Sequence, residues 1–125
     1  MSNKVLVVDD EPSVCRALRS FLVDKGYDVV EAHDGDQALS AYSSEKPKVV
    51  LLDIRMPGKD GLETLRELKA IDPEASVIMV TAVYEEEVAL QAMANGAFEY
   101  VTKPIDPDYL ELAIATNFAL TGNDE

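Results

Sequence analysis

The chain has one cysteine and one histidine in 125 residues. With Cys15 alone, no disulfide can form within the chain, which fits a reducing cytoplasm. No apolar run approaches the roughly 20 residues that a membrane-spanning helix needs. Basic residues are scarce: 11 Lys and Arg stand against 24 Asp and Glu, a formal net charge of −13. Direct nucleic-acid binding needs a basic footprint and is not expected. An anionic membrane surface is disfavoured by the same charge. A basic protein patch or metal cations suit it better; the plainer reading is that the charge keeps the domain soluble. Internal repeats, low-complexity tracts and interior linkers are absent. The start, Met1, Ser2, Asn3, Lys4, Val5, runs directly into a strand pattern, which predicts no signal peptide. One domain over residues 1–121 is expected, with a polar tail over 122–125.

What the sequence does have is an alternation of strand and helix patterns. Val5–Val8 is a short apolar run. Val14, Ala17, Leu18, Phe21 and Leu22 follow with helical spacing, closed by Lys25 and Gly26. Tyr27–Ala32 reads as a second strand, and Asp34 can cap a helix carrying Ala38, Leu39 and Tyr42. Val49–Leu52 is a third strand. Asp60 and Glu63 make a capping box for a helix with Leu62, Leu65 and Leu68. Val77–Val80 is a fourth strand, followed by a helix bearing Val88, Ala89, Ala92 and Met93 and ending before Gly96. Phe98–Val101 is a fifth strand. Asp106 and Pro107 then open a helix with Leu110, Ala113, Ile114 and Phe118.

Such alternation implies an α/β fold, a parallel sheet with helices on both faces. The first, third and fourth strands are continuously apolar, as central strands are. The second and fifth are mixed, as edges are. A doubly wound five-stranded sheet of order 2-1-3-4-5 satisfies this. Ligands of such sheets sit beyond the carboxyl ends of the first and third strands, where the winding reverses.

Reactive side chains stand at those ends. Val7 and Val8 lead to Asp9 and Asp10; Leu51 and Leu52 to Asp53; Met79 and Val80 to Thr81; Tyr100, Val101 and Thr102 to Lys103 and Pro104. One crevice would then collect three carboxylates, a hydroxyl and an ammonium. Three carboxylates this close repel by roughly 4 kcal/mol per pair at an effective dielectric near 20, so one should carry a raised pKa unless a cation is present. The set can hold a divalent metal and a phosphoryl group. Glu11 reads as an exposed helix-start carboxylate. Met56, Pro57 and Gly58 read as a turn over the site, with Gly58 free to take positive φ. His33 reads as a loop residue away from the crevice, and Cys15 as packing beside the inward stripe of the first helix.

The motifs Val7-Val8-Asp9-Asp10-Glu11, Leu52–Gly61, Val80-Thr81-Ala82 and Tyr100–Pro104 resemble the receiver domain of bacterial two-component response regulators. The resemblance runs from about Lys4 to Leu120, and the wording at Asp53–Gly58 and Gly96–Tyr100 is most similar to nitrogen-regulation-type activators. It implies a flavodoxin-like fold and cytoplasmic location. It implies phosphorelay signal transduction, with Mg2+-dependent acceptance of a phosphoryl group on Asp53 from a sensor histidine kinase or phosphotransfer protein. The metal would be bound by Asp10 and Asp53 directly, by Asp9 largely through water, and by the backbone carbonyl of Arg55. Lys103 would reach the phosphate, aimed by a cis peptide bond to Pro104. Thr81 and Tyr100 would be the switch pair. Arg55 and Val83 stand where the family influences hydrolysis, and an apolar Val83 suggests a long-lived phosphate. His33, the only histidine, is not expected to be a phosphodonor.

The output face implied is the fourth helix, fifth strand and fifth helix, carrying Tyr84, Glu85, Glu86, Glu87 and Tyr100. Its partners would be an output protein or an effector domain outside this chain, and a homodimer formed on phosphorylation. The first helix beside the site would receive the kinase. Two other functions compete: a Mg2+-dependent aspartyl phosphatase, and a receiver-like binding module that is never phosphorylated. The phosphatase reading suffers because Arg55 stands where such enzymes place a second aspartate. The binding module leaves the acidic triad and Lys103 without a task.

Overall fold

The computed structural model describes residues 3–56, 58–82 and 84–121. Elements alternate along the chain: β1 (Lys4–Val8), α1 (Pro12–Asp24), β2 (Asp28–Ala32), α2 (Gly35–Glu45), β3 (Val49–Leu52), α3 (Gly61–Ile71), β4 (Val77–Thr81), α4 (Glu86–Ala94), β5 (Glu99–Thr102) and α5 (Pro107–Thr121). The sheet has five strands in the order β2-β1-β3-β4-β5, and all neighbours pair in parallel. This is the architecture expected from the sequence.

Local signals explain most boundaries. Asp34 Oδ1 accepts from Gln37 N at 2.8 Å and starts α2. Asp60 Oδ1 accepts from Glu63 N at 2.9 Å and starts α3; each satisfies an amide that a helix leaves open. Pro12 and Pro107 stand at the first helical positions of α1 and α5, where the missing N–H costs nothing. Gly26 closes α1 with φ of 95°, a conformation glycine adopts without a Cβ clash.

Several strand edges differ from expectation by one residue; β1 starts at Lys4 rather than Val5, and β4 ends at Thr81 rather than Val80. Tyr27 N donates to Leu22 O at 3.0 Å, so its amide finishes α1 and the ladder of β2 begins at Asp28. At the other edge Thr102 pairs with Thr81, and β5 covers Glu99–Thr102 rather than Phe98–Val101.

The core has two halves, one on each face of the sheet. Leu6, Val8, Val50, Leu52 and Met79 pack with Leu62, Leu65 and Leu68 of α3. Val5, Val7, Val49, Leu51 and Ile78 pack with Leu18 and Leu22 of α1 and Leu110 and Ile114 of α5. Alternate residues of each strand serve opposite faces, as the two-residue period of a strand demands. Central strands therefore have to be apolar at every position, and β3 and β4 are buried throughout. That burial fixes where the strands stop and where the polar residues begin.

Candidate active site at the carboxyl ends of the strands

The last apolar residues of β1 and β3, Val8 and Leu52, are register partners. The residues that follow them are thereby held side by side. Asp9 and Asp53 are both buried, and Asp10 is the most solvent-accessible of the three aspartates. One carboxylate oxygen from each of Asp9, Asp10 and Asp53 lies within 4.8 Å of the others. Lys103 reaches in from beyond β5. Its Nζ donates to Asp9 Oδ2 at 2.8 Å and to Asp53 Oδ2 at 3.2 Å. The Lys103–Pro104 peptide is cis, as the resemblance implied.

Backbone amides orient the remaining carboxylate oxygens. Glu11 N donates to Asp9 Oδ1 at 2.9 Å, and Arg55 N donates to Asp53 Oδ1 at 3.3 Å. A crevice of about 280 Å³ opens over the cluster, lined by Asp10, Glu11, Asp53, Arg55, Ala82 and Lys103. Thr81 is fully buried at the end of β4, and its carbonyl accepts from Lys103 N at 2.8 Å. Tyr100 is half-buried on β5, its ring 6.2 Å from that of Tyr84 in an edge-on arrangement. Met56 is buried and Gly58 has φ of 77°. Pro57 and Val83 lie outside the described residues, as does the tail 122–125.

The charges are unbalanced. Burial works against the charge on Lys103, but its hydrogen bond to Asp9 and the charge of Asp53 outweigh this, and its pKa stands above the ordinary lysine value. Burial raises the pKa of Asp9; Lys103 and the Glu11 amide oppose this and Asp53 adds to it, and the net shift is upward. One ammonium for two buried carboxylates leaves a deficit of positive charge. A hard divalent cation with oxygen ligands such as Mg2+ fits the donor set, since all three side chains offer carboxylate oxygen.

Two features were not anticipated. A Cβ on Gly61 would lie 2.2 Å from Asp53 O and 2.6 Å from Ile54 Cα, so the start of α3 is pressed against the backbone of Asp53. Only glycine permits that approach. The Asp60–Gly61 dipeptide was visible as a helix start, but nothing local announced the close packing. The second is the neighbourhood of His33. It lies away from the acidic crevice, as expected, but its Nδ1 is 3.2 Å from the backbone carbonyl of Asp9 and 3.8 Å from Cys15 Sγ. Parallel pairing of β2 with β1 carries the loop after Ala32 to the loop after Val8.

Known proteins are similar to this chain in sequence and in fold. The regulatory protein AtoC of Escherichia coli is 41% identical over 90% of this chain, which spans 24% of that protein. AtoC is an activator of the nitrogen-regulation type, in keeping with the wording noted in the sequence. The chemotaxis protein CheY of Bacillus subtilis is 36% identical over 91% of this chain and 96% of its own length. A CheX–CheY complex with BeF3 and Mg2+ from Borrelia burgdorferi is 29% identical, has a TM-score of 0.88, and covers 92% of this chain and 88% of that one. No helix among the described residues is long and apolar enough to cross a membrane. Residues 5–115 match the response regulator receiver domain, and the chain belongs to that family, the receivers of two-component signalling systems.

Proposed function

We propose that this receiver accepts a phosphoryl group on Asp53 from the phosphohistidine of a sensor kinase or phosphotransfer protein. The observation that carries this is the ammonium of Lys103, shared between Asp9 and Asp53 at 2.8 and 3.2 Å. It stands where an anion attached to Asp53 would need a counter-charge. An Asp53 carboxylate oxygen forms the new O–P bond. The P–N bond to the donor imidazole breaks, and its electron pair stays with that nitrogen. Arg55 N holds Asp53 Oδ1, leaving Oδ2 as the nucleophile once Lys103 shifts to the incoming phosphate.

Asp10 and Asp53 are the proposed direct ligands of Mg2+, with the backbone carbonyl of Arg55; Asp9 acts through water. Bound there, the ion would offset charge on the transferring group and on the carboxylates. Asp9, with its raised pKa, anchors Lys103 in the meantime.

A phosphoryl group brings about −1.5 to −2 charges at neutral pH. Thr81 and Lys103 are the groups placed to answer it. Thr81 heads the segment leading to α4, and Tyr100 sits against Tyr84 on that side. The output surface is then α4, β5 and α5, including Glu85, Glu86 and Glu87. Leu90 and Leu112 there are each 62% exposed, which suits contact with an output protein, an effector domain or a second copy. An apolar groove of about 370 Å³ between α1 and α5, with Ala17, Phe21, Ile105 and Leu110 in its walls, supports docking of the kinase beside Lys103.

The test is intact mass after incubation with acetyl phosphate and Mg2+. Wild type should gain one phosphoryl mass, and Asp53→Asn should not. A wild-type protein that stays unmodified, or a variant that is modified equally, would overturn the assignment.

A further inference from the structure

Behind the carboxyl end of β1, on the side away from the acidic crevice, lies a second group of donors. Cys15, in the first turn of α1, is fully buried. Its Sγ lies 3.4 Å from the carbonyl of Asp9 and 3.8 Å from His33 Nδ1. Glu31, near the end of β2, presents Oε1 to His33 Nε2 at 3.7 Å, while Oε2 is held by Arg19 Nε at 2.6 Å. One donor atom from each of Cys15, Glu31 and His33 lies within 4.8 Å of the other two.

Spacing and donor type agree on a ligand class. A tetrahedral ion about 2.3 Å from sulfur and about 2.0 Å from nitrogen sets those atoms roughly 3.5 Å apart. The observed 3.8 Å between Cys15 Sγ and His33 Nδ1 needs a closure of a few tenths of an ångström, and Glu31, whose Oε1 is 3.7 Å from the other ring nitrogen, Nε2, has to turn its side chain to share an ion with them. Thiolate and imidazole favour borderline and soft d-block ions, whereas the oxygen-only crevice favours hard ones. Access exists, because the His33 side chain is 42% exposed and that of Glu31 is 20% exposed. Glu31 Oε1 is the oxygen that Arg19 leaves over.

We propose that Cys15, His33 and Glu31 form a second cation site, specific for a borderline divalent d-block ion of the Zn2+ type, with water completing its coordination. Binding displaces the Cys15 Sγ proton to solvent and leaves the sulfur as a thiolate ligand. Asp9 links the two sites: its carboxylate faces Lys103 and its carbonyl faces Cys15 and His33. An ion holding Cys15 and His33 therefore restrains the backbone on which the acidic crevice is built.

Co2+ titration tests this, with excess Mg2+ present to fill the oxygen site. Wild type should develop a thiolate-to-cobalt charge-transfer band that saturates at one equivalent and is bleached by Zn2+. Cys15→Ser should abolish the band. His33→Gln, at a half-exposed position that leaves the fold intact, should weaken binding at least tenfold. Asp10→Asn should leave the band unchanged, because the acidic crevice is not its source. Absence of the band in folded wild type overturns the proposal, and so does a band that His33→Gln leaves at full affinity. Thermal melts of each variant separate loss of the site from loss of the fold.

Discussion

Lys103 Nζ stands 3.2 Å from Asp53 Oδ2, across a sequence separation of 50 residues. The same nitrogen is closer still to Asp9, at 2.8 Å. The site at rest is thus held by a cation of the chain itself. A ligand cation and a phosphoryl group both have to renegotiate that contact.

Replacing Lys103 by Met separates the two roles. The neutral side chain no longer competes with Mg2+ for the carboxylates, so Mg2+ should bind more tightly, by a factor on the order of ten for a change of about 1.4 kcal/mol. Phosphorylation by acetyl phosphate should slow by more than tenfold, because the counter-charge for the phosphoryl group is gone. Calorimetric Mg2+ titration and a mass-resolved time course read the two effects separately.

Asp9 predicts a link between pH and the stabilising effect of Mg2+. Its raised pKa means that the folded protein holds this proton more tightly than the unfolded chain does. The contribution to stability is complete below the ordinary aspartate pKa of about 3.9 and is lost as pH rises through the raised folded value. The metal-free protein therefore has a stability cost at neutral pH that Mg2+ relieves. At 100 times its dissociation constant, the ion should stabilise by about 2.7 kcal/mol. The Mg2+-induced rise in Tm should shrink steadily as pH falls through the carboxylate range. An increment independent of pH would count against the metal binding here.

Gly61→Ala should damage both fold and site. The new Cβ meets backbone atoms of Asp53 and Ile54, which cannot swing aside as a side chain could. Overpacking of this kind costs roughly 1–3 kcal/mol. A fall in Tm by circular dichroism should accompany slower phosphorylation of Asp53.

Asp34→Ala is a contrasting control. It removes the side-chain acceptor from Gln37 N at the start of α2, a loss worth about 1 kcal/mol. Its Tm should fall, while the rate of phosphorylation should stay within twofold of wild type.

Much of the site was legible from the pattern of strand endings. An apolar run long enough to be a buried strand has to stop where its first charged residue begins, and Asp9, Asp53 and Lys103 were placed this way. Thr81 was expected just past its strand; the structure makes it the last residue of β4, fully buried. The caps at Asp34 and Asp60 were legible because a helix start is decided by residues three positions apart. Tyr27 was misassigned to a strand because its amide serves the preceding helix, a choice that depends on Gly26 turning the chain. The contacts of His33 were not legible for a different reason: its neighbours Cys15 and Asp9 are remote in sequence and meet it only through the pairing of β2 with β1.

The order of apolar and charged residues alone determined that this is a doubly wound parallel sheet with an acidic crevice at its carboxyl edge. Such periodicity is a local property, and each strand carries it without reference to the others. Tertiary structure decided which groups touch: Lys103 with Asp9, Gly61 with Asp53, and His33 with Cys15. Those contacts depend on strand register and on the approach of one backbone to another. Both are set by packing across the whole sheet, which no short stretch of sequence encodes.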